Sequence, residues 1–365
     1  MPDLNTARQT ESLAFLERGC EFVFGEPGAC PLPLDVLVDI HPGTLGVEQV
    51  LHGGLTAWVF KLRVGGRCFA IKRARPECKV QNPDGATSFL NELRRHAEID
   101  ALRARGIDFP GVVRPDFGSL RKGLVVSPWI EGEQVSDWDV RRLEQVFEAG
   151  RVLIENGFFE WDFCSGNVLD DGRHIWLFDF GYMYRFDPLR QMNTAGTGLN
   201  VPQFHLAERI ETRNLFAWLL RIESAEGVDA ALAAYRLVKE VALVSYGHLI
   251  ANLRGRAARE EVLDWLRGFT TDWQQGLRGD LAALYLREAW RSHRLDLDDD
   301  LHGKTCTATT LRRCDWLLSA IERDHALLKS SGALSGEEAT LDRAALGARY
   351  RALRSQAERY QHTAG

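Results

Sequence analysis

The stretch that most constrains this chain is Glu160-Trp161-Asp162-Phe163-Cys164-Ser165-Gly166-Asn167-Val168-Leu169, followed after a short gap by Ile175-Trp176-Leu177-Phe178-Asp179-Phe180-Gly181. Apolar runs, Val168-Leu169 and Ile175-Trp176-Leu177-Phe178, lie on either side of Asp171-Gly172, a dipeptide suited to a tight hairpin turn. The pattern predicts two short antiparallel strands that present Asp162 and Asp179 at one edge. Asn167 stands five residues beyond Asp162, and Asp179 seventeen beyond it.

A carboxylate beside a hydroxyl can accept its proton, whereas an amide oxygen and a second carboxylate are hard ligands suited to Mg²⁺ bound to phosphates. Asp162 is therefore the candidate catalytic base, and Asn167 and Asp179 are candidate metal ligands. Alone, D-x-x-x-x-N is a common turn pattern. Joined to Asp179-Phe180-Gly181 at this spacing, it resembles the signature H-R-D-x-x-x-x-N followed by D-F-G of the protein-kinase-like superfamily. That superfamily includes protein kinases, aminoglycoside and choline phosphotransferases, lipopolysaccharide core kinases and atypical bacterial protein kinases. The resemblance implies ATP and Mg²⁺ as cofactors. It also implies an α+β, two-lobed fold with a small antiparallel-sheet N-lobe and a large helical C-lobe.

Upstream, alternating apolar segments at 47–51, 57–62 and 68–72, broken at His52-Gly53-Gly54 and Gly65-Gly66, predict an antiparallel meander. Under the resemblance the first break is a glycine-rich phosphate loop. Gly54 and Val59 match its pattern, Gly53 lies beside the matching glycine, and Ala57 replaces the third glycine. Phe69-Ala70-Ile71-Lys72 resembles V-A-I-K, thirteen residues past Val59. A lysine among apolar strand residues needs an anion. Helical spacing over 88–105, with Phe89, Leu93 and His96 as its packed stripe, offers Glu92, with Glu98 as the alternative. Segments 111–115 and 123–127 read as two further strands, completing a sheet of about five. Ser127 then leads into Pro128-Trp129-Ile130-Glu131-Gly132, where the resemblance sets adenine against backbone groups of Ser127 and Trp129; Pro128 offers no N–H.

The remaining chain divides into a Pro/Gly-rich N-terminal extension (1–45), expected as a strap on the outside, and three further parts: the N-lobe (46–127), the helical lobe (128–290) and a C-terminal helical addition (291–365). Ser136 and Asp139 are candidate caps for a helix reaching about 156, and helical spacing recurs over 206–222, 228–253, 259–291, 309–329 and 337–361. Residues 296–305 contain Gly303-Lys304-Thr305, but Asp298 stands where a phosphate-binding loop of the Walker type needs glycine. A charged inter-helix loop is expected there.

Several departures shape the functional reading. Glu160 and Trp161 replace the histidine and arginine of H-R-D, so a switch that reads a phosphorylated loop has no receiver. Cys164 stands where relatives carry lysine or histidine. No A-P-E follows the Gly/Asn/Thr loop that runs to Pro202, and the connector wording resembles the small-molecule enzymes. The expected activity is phosphoryl transfer to a hydroxyl on a small molecule or glycan. The alternatives are an atypical protein kinase, or a pseudokinase or nucleotidyl-transferring protein of the same fold. A net charge of −6 without a Lys/Arg block gives no reason to expect nucleic acid as a partner. Seven cysteines without zinc-type spacing fit a reducing compartment. Residues 241–253 are too short an apolar stretch to span a bilayer and no signal peptide is evident, so a cytoplasmic protein is expected.

Overall fold

In the computed structural model, which describes residues 4–80, 82–194 and 204–361, the chain opens with helix α1 (Leu4–Glu17), strand β1 (Val23–Gly25) and the short helix α2 (Leu34–Val38). The predicted meander follows as β2 (Val47–Leu51), β3 (Ala57–Val64) and β4 (Arg67–Ala74), with Val59 paired to Lys72. Helix α3 (Pro83–Arg103) begins earlier than the expected 88. The Asn82 side chain accepts the Gly85 N–H at 2.8 Å, and Pro83 occupies the first helical position, where its missing N–H costs nothing. Strands β5 (Phe117–Ser119) and β6 (Leu124–Pro128) complete an antiparallel sheet of order β1-β5-β6-β4-β3-β2.

Two expectations for this region are corrected. Residues 111–115 are not a sheet strand: the backbone bends at Gly111 (φ +68°), and Val112 makes only an isolated bridge to Leu177. The fifth strand is instead Phe117–Ser119. The N-terminal extension is more than an outer strap, because β1 pairs with β5, making six strands in this sheet among the described residues. Leu37 and Ile40 are 0% and 2% exposed, in one core with Phe60, Leu62, Phe69, Ile71, Phe117, Leu124 and Val126. Each large apolar side chain so buried is worth roughly 1.5–3 kcal/mol. That face being closed, alternation leaves Val59, Ala70 and Lys72 on the opposite one.

Strand β7 (Glu133–Gln134) precedes α4 (Val140–Glu155), which Asp139 caps by accepting the Arg142 N–H at 2.8 Å. The central stretch then folds as β8 (Phe158–Glu160), β9 (Val168–Asp170), β10 (Ile175–Leu177) and β11 (Met183–Arg185). β9 and β10 form the predicted hairpin, turning at Asp171, whose N–H donates to the His174 carbonyl at 3.1 Å. β11 pairs with β8, setting Met183 opposite Glu160.

Among the described residues, those up to Val135 together with 148–194 and Phe204 form one compact unit, and Ser136–Phe147 with 205–361 form another, so α4 contributes to both. Residues 148–194, expected with the helical lobe, lie in the unit that holds the sheet.

The second unit is helical: α5 (Leu206–Ile210), a π-helical turn (Glu211–Leu215), α6 (Phe216–Glu226), α7 (Val228–Gly255), α8 (Glu260–Arg278), α9 (Leu281–Gly303), α10 (Ala308–Ser330) and α11 (Arg343–Arg359). The segment expected as continuous over 259–291 breaks where Asp280 caps α9 by accepting the Ala283 N–H at 2.9 Å. The loop expected at 296–305 is mostly the last turns of α9. Two of its acids have partners: Asp296 meets Arg213 at 2.6 Å and Arg313 at 2.9 Å, and Asp300 accepts the Thr310 hydroxyl. The loop expected to reach Pro202 lies in part outside the described residues. The chain is thus α+β, with a small antiparallel sheet near the N-terminus and a large helical C-terminal region. Among the described residues no helix is long and apolar enough to cross a membrane.

Candidate active site

Lys72 on β4 lies between two carboxylates, with Nζ 2.7 Å from Glu92 Oε2 and 2.7 Å from Asp179 Oδ1. Of the two acids offered by α3, Glu92 is the partner. Glu98 instead faces Arg95 at 3.0 Å and Arg185 at 3.7 Å. Burial alone would raise the Glu92 pKa, but the Lys72 ammonium and His96 outweigh it and hold the carboxyl at about 2. Burial opposes the charge on Lys72, yet Asp179 and Glu92 raise its pKa above the ordinary lysine value. Asp179 is lifted above the usual carboxylate range, first by burial and then by Glu92 and Asp162, with Lys72 pulling the other way.

Asp179 has φ +64° and ψ +67°, a left-handed conformation that non-glycine residues adopt at a cost of order 1 kcal/mol or more, and that collects at functional sites. The surrounding structure holds it there. Asn91 on α3 donates to the carbonyls of Gly181 and Met183 at 2.8 and 2.7 Å, and the His96 ring sits 5.3 Å from that of Phe180. At Gly181 a Cβ would fall 3.1 Å from Ser88 Cβ, so glycine is what lets this segment close against the helix. The helix that supplies Glu92 therefore also fixes the segment that supplies Asp179.

The Asn167 amide donates to the Asp162 carbonyl at 3.1 Å and to Asp162 Oδ2 at 3.3 Å, which leaves the Asn167 side-chain oxygen as the acceptor end. The Asp162 N–H donates to Glu160 Oε1 at 2.6 Å. Glu160 is 5% exposed, and its Oε2 is buried without a hydrogen-bond partner among the described residues. Burial, then the charges of Asp162 and Asp179, push its pKa well above the carboxylate range and favour the neutral acid. No family model and no curated protein matches the sequence. Geometry therefore carries the functional argument.

The glycine loop differs from expectation in its reason. At Gly54 a Cβ would come 2.5 Å from the Ala57 carbonyl oxygen, so the turn itself requires glycine there; at Gly53 a Cβ would meet nothing within 4 Å. The carbonyls of His52 and Gly54 accept from Arg75 at 2.7 and 2.8 Å. Ala57 is buried, Val59 half-buried, and Ala70 pairs with Ser127 in the β4–β6 ladder. The Trp129 N–H donates to the Cys68 carbonyl at 3.0 Å, which removes it as a donor toward a base, and its ring lies 5.0 Å from Lys61 Nζ.

Among the described residues no three His, Cys, Asp or Glu side chains could hold a metal ion between them. The oxygens of Asn167 and Asp179 nevertheless fit Mg²⁺, which commonly takes one or two protein ligands and completes its shell with substrate phosphates and water. Sequence reasoning missed Asn91, Arg75 and the hydrogen bond from the Asp162 N–H to Glu160. Asn91 could have been flagged as a polar residue one position from Glu92 on a buried helix; the other two had no signal.

Proposed function

We propose that this chain is an ATP- and Mg²⁺-dependent phosphotransferase with a two-lobed kinase-like fold, and that it acts on a hydroxyl of a small molecule or glycan. The observation that carries the reading is the Lys72 ammonium gripped at 2.7 Å by both Glu92 and Asp179, in the same compact unit as the bonded Asp162–Asn167 pair. A lysine so fixed is a rigid cation for phosphate oxygens. Asp162, oriented through its N–H by Glu160 and through its carboxylate by Asn167, accepts the acceptor's hydroxyl proton. Asn167 and Asp179 would hold Mg²⁺, which when bound neutralises charge on the phosphates. Val59 and Ala70 offer a small apolar surface for the base. With Cys164 where relatives carry a cation, Lys72 is left as the principal protein charge for the transferring group.

The small-molecule acceptor follows from the missing A-P-E and the Pro128-Trp129-Ile130-Glu131-Gly132 connector. The test partitions label from γ-labelled ATP, in a cell extract, between protein and small solutes. Label in small solutes supports the reading; label confined to protein bands favours an atypical protein kinase. A second reading, nucleotidyl transfer, is favoured by Cys164 and by the Arg75 guanidinium lodged at the 52–54 carbonyls. Transfer of α-label would establish it.

A further inference from the structure

Helix α3 has a second functional face. Glu92 and His96 look toward Lys72 and Phe180. Asn91, Arg94, Arg95 and Glu98 recur at the three- and four-residue spacing of another stripe, about a third of a turn away. This stripe borders a recess of about 670 Å³, within the roughly 300–1,000 Å³ span of small-molecule sites. Four guanidiniums line the recess, those of Arg8, Arg94, Arg95 and Arg185, against two carboxylates, Glu11 and Glu98. The local excess of two positive charges runs against the chain's net charge of −6.

The arginines outnumber their carboxylate partners: Arg95 and Arg185 share Glu98, and Arg8 pairs with Asp84. Arg95 is 7% exposed, and its buried Nε has no hydrogen-bond partner among the described residues. Burial, and then Arg185, Arg94 and Arg8, depress its pKa to about 10 despite Glu98. Arg94 meets no carboxylate among the described residues; it donates to Ser12 Oγ at 3.4 Å and lies 4.9 Å from the Phe15 ring centroid. Arg185 donates to the Asn156 carbonyl at 2.8 Å and faces Glu98 at 3.7 Å. Arg8 stacks 3.4 Å over Tyr184 and touches Asp84, which does not line the recess. Guanidinium forks with spare donors match phosphate oxygens two at a time, and a phosphomonoester dianion supplies the charge that is lacking.

We propose that this recess is a binding site for a phosphate-bearing small molecule, separate from the Lys72 cleft. Gln191 and Thr194 border it as neutral polar groups. The ligand and Lys72 would grip one helix from two faces. The site stands on these observations whether or not the chain transfers phosphate.

The test is isothermal titration of the full chain with inorganic pyrophosphate, in EDTA and at low salt. The expected result is one binding event that weakens with added NaCl, and that weakens about tenfold or more in Arg94→Gln and Arg185→Gln. Affinity should be unchanged in Arg278→Gln, an exposed arginine of α8. Arg95 is left alone because its burial makes a folding defect the expected outcome; should Arg185→Gln unfold, Arg94→Gln decides alone. The absence of binding to wild type overturns the proposal. So does affinity unchanged in the folded arginine variants, and if Lys72→Met then loses binding, the anion belongs to the Lys72 cleft.

Discussion

Two lysines of this protein each stand between two carboxylates, and their surroundings differ in kind. Lys239 meets Glu211 at 2.6 Å and also Glu288, and all three side chains are at most 4% exposed. The Trp273 indole donates to Glu288 at 2.9 Å, and the ammonium lies 4.0 Å from the centroid of the same ring. The site is closed to water, with Arg291 3.6 Å from Glu288, although Glu211 opens a π-helical turn and its Oε2 has no hydrogen-bond partner among the described residues. In the Lys72 triad the lysine and Asp179 side chains are 12% and 36% exposed, and Asp179 is held in a left-handed conformation. A closed triad can only hold helices together, whereas an open and strained one keeps charge available to a ligand.

The sharpest test of that contrast is removal of each lysine. Lys239→Met leaves two buried acids with only the more distant Arg291, at 4.0 and 3.6 Å, and should cost about 3–5 kcal/mol, read by denaturant unfolding. Lys72→Met should cost less than Lys239→Met, because water reaches Asp179 even though Glu92 stays buried, while nucleotide affinity is lost. Equal costs for the two variants would abolish the distinction.

Next in size are the effects within the open site. Asp179→Ala should lose Mg²⁺-dependent nucleotide binding by calorimetry, about tenfold or more. Asp162→Asn should bind nucleotide within about twofold of wild type while transfer disappears, since in the proposed reaction its carboxylate acts on the acceptor rather than the nucleotide. Loss of nucleotide affinity in Asp162→Asn would reassign that residue.

One acid of each triad, Glu211 and Glu92, should respond to pH in opposite directions, while their companions Glu288 and Asp179 are lowered and raised respectively. Burial lifts Glu211 from 4.5 to about 7, against the pull of Lys239. An acid with a raised folded-state pKa contributes stability that is fully present below about pH 4.5 and is lost as pH rises through about 7. Glu92, lowered from 4.5 to about 2, contributes stability that is present above about pH 4.5 and is lost as pH falls toward 2. Glu211→Gln should flatten the stability profile of wild type between those upper limits; an unchanged slope would show that Glu211 does not titrate there.

The smallest expected effect is Glu160→Gln. Because burial already favours the neutral acid, the amide should alter stability by less than about 1 kcal/mol and leave nucleotide affinity intact. A large loss of stability would mean that Glu160 is ionised in the native state.

The open site was largely legible in the sequence and the closed one was not. The Lys72–Glu92 pairing could be read because a strand lysine amid apolar neighbours needs an anion and α3 offers one on its packed stripe. The β9–β10 hairpin announced itself through Asp171-Gly172. Lys239 lies in the long helix α7, where a lysine ordinarily reads as solvent-facing, and its partners come from 28 and 49 residues away. Asp296 misled for the same reason, since Arg213 and Arg313 become its neighbours only on folding. Val23-Phe24-Gly25 is too short to show a period, so the strand that completes the sheet had no local signature. At 111–115 two adjacent valines suggested a strand that the bend at Gly111 prevents.

Phosphoryl transfer at the Lys72 triad and Asp162, as proposed, is open to direct measurement. The most direct measurement incubates the full chain with Mg²⁺, cell extract as the acceptor source, and ATP labelled at either the γ or the α phosphate, beside Asp162→Asn. The account predicts that γ-label moves to an acceptor with wild type, that Asp162→Asn moves none, and that α-label stays with the nucleotide in both. Transfer of α-label, or γ-transfer undiminished in Asp162→Asn, would contradict it.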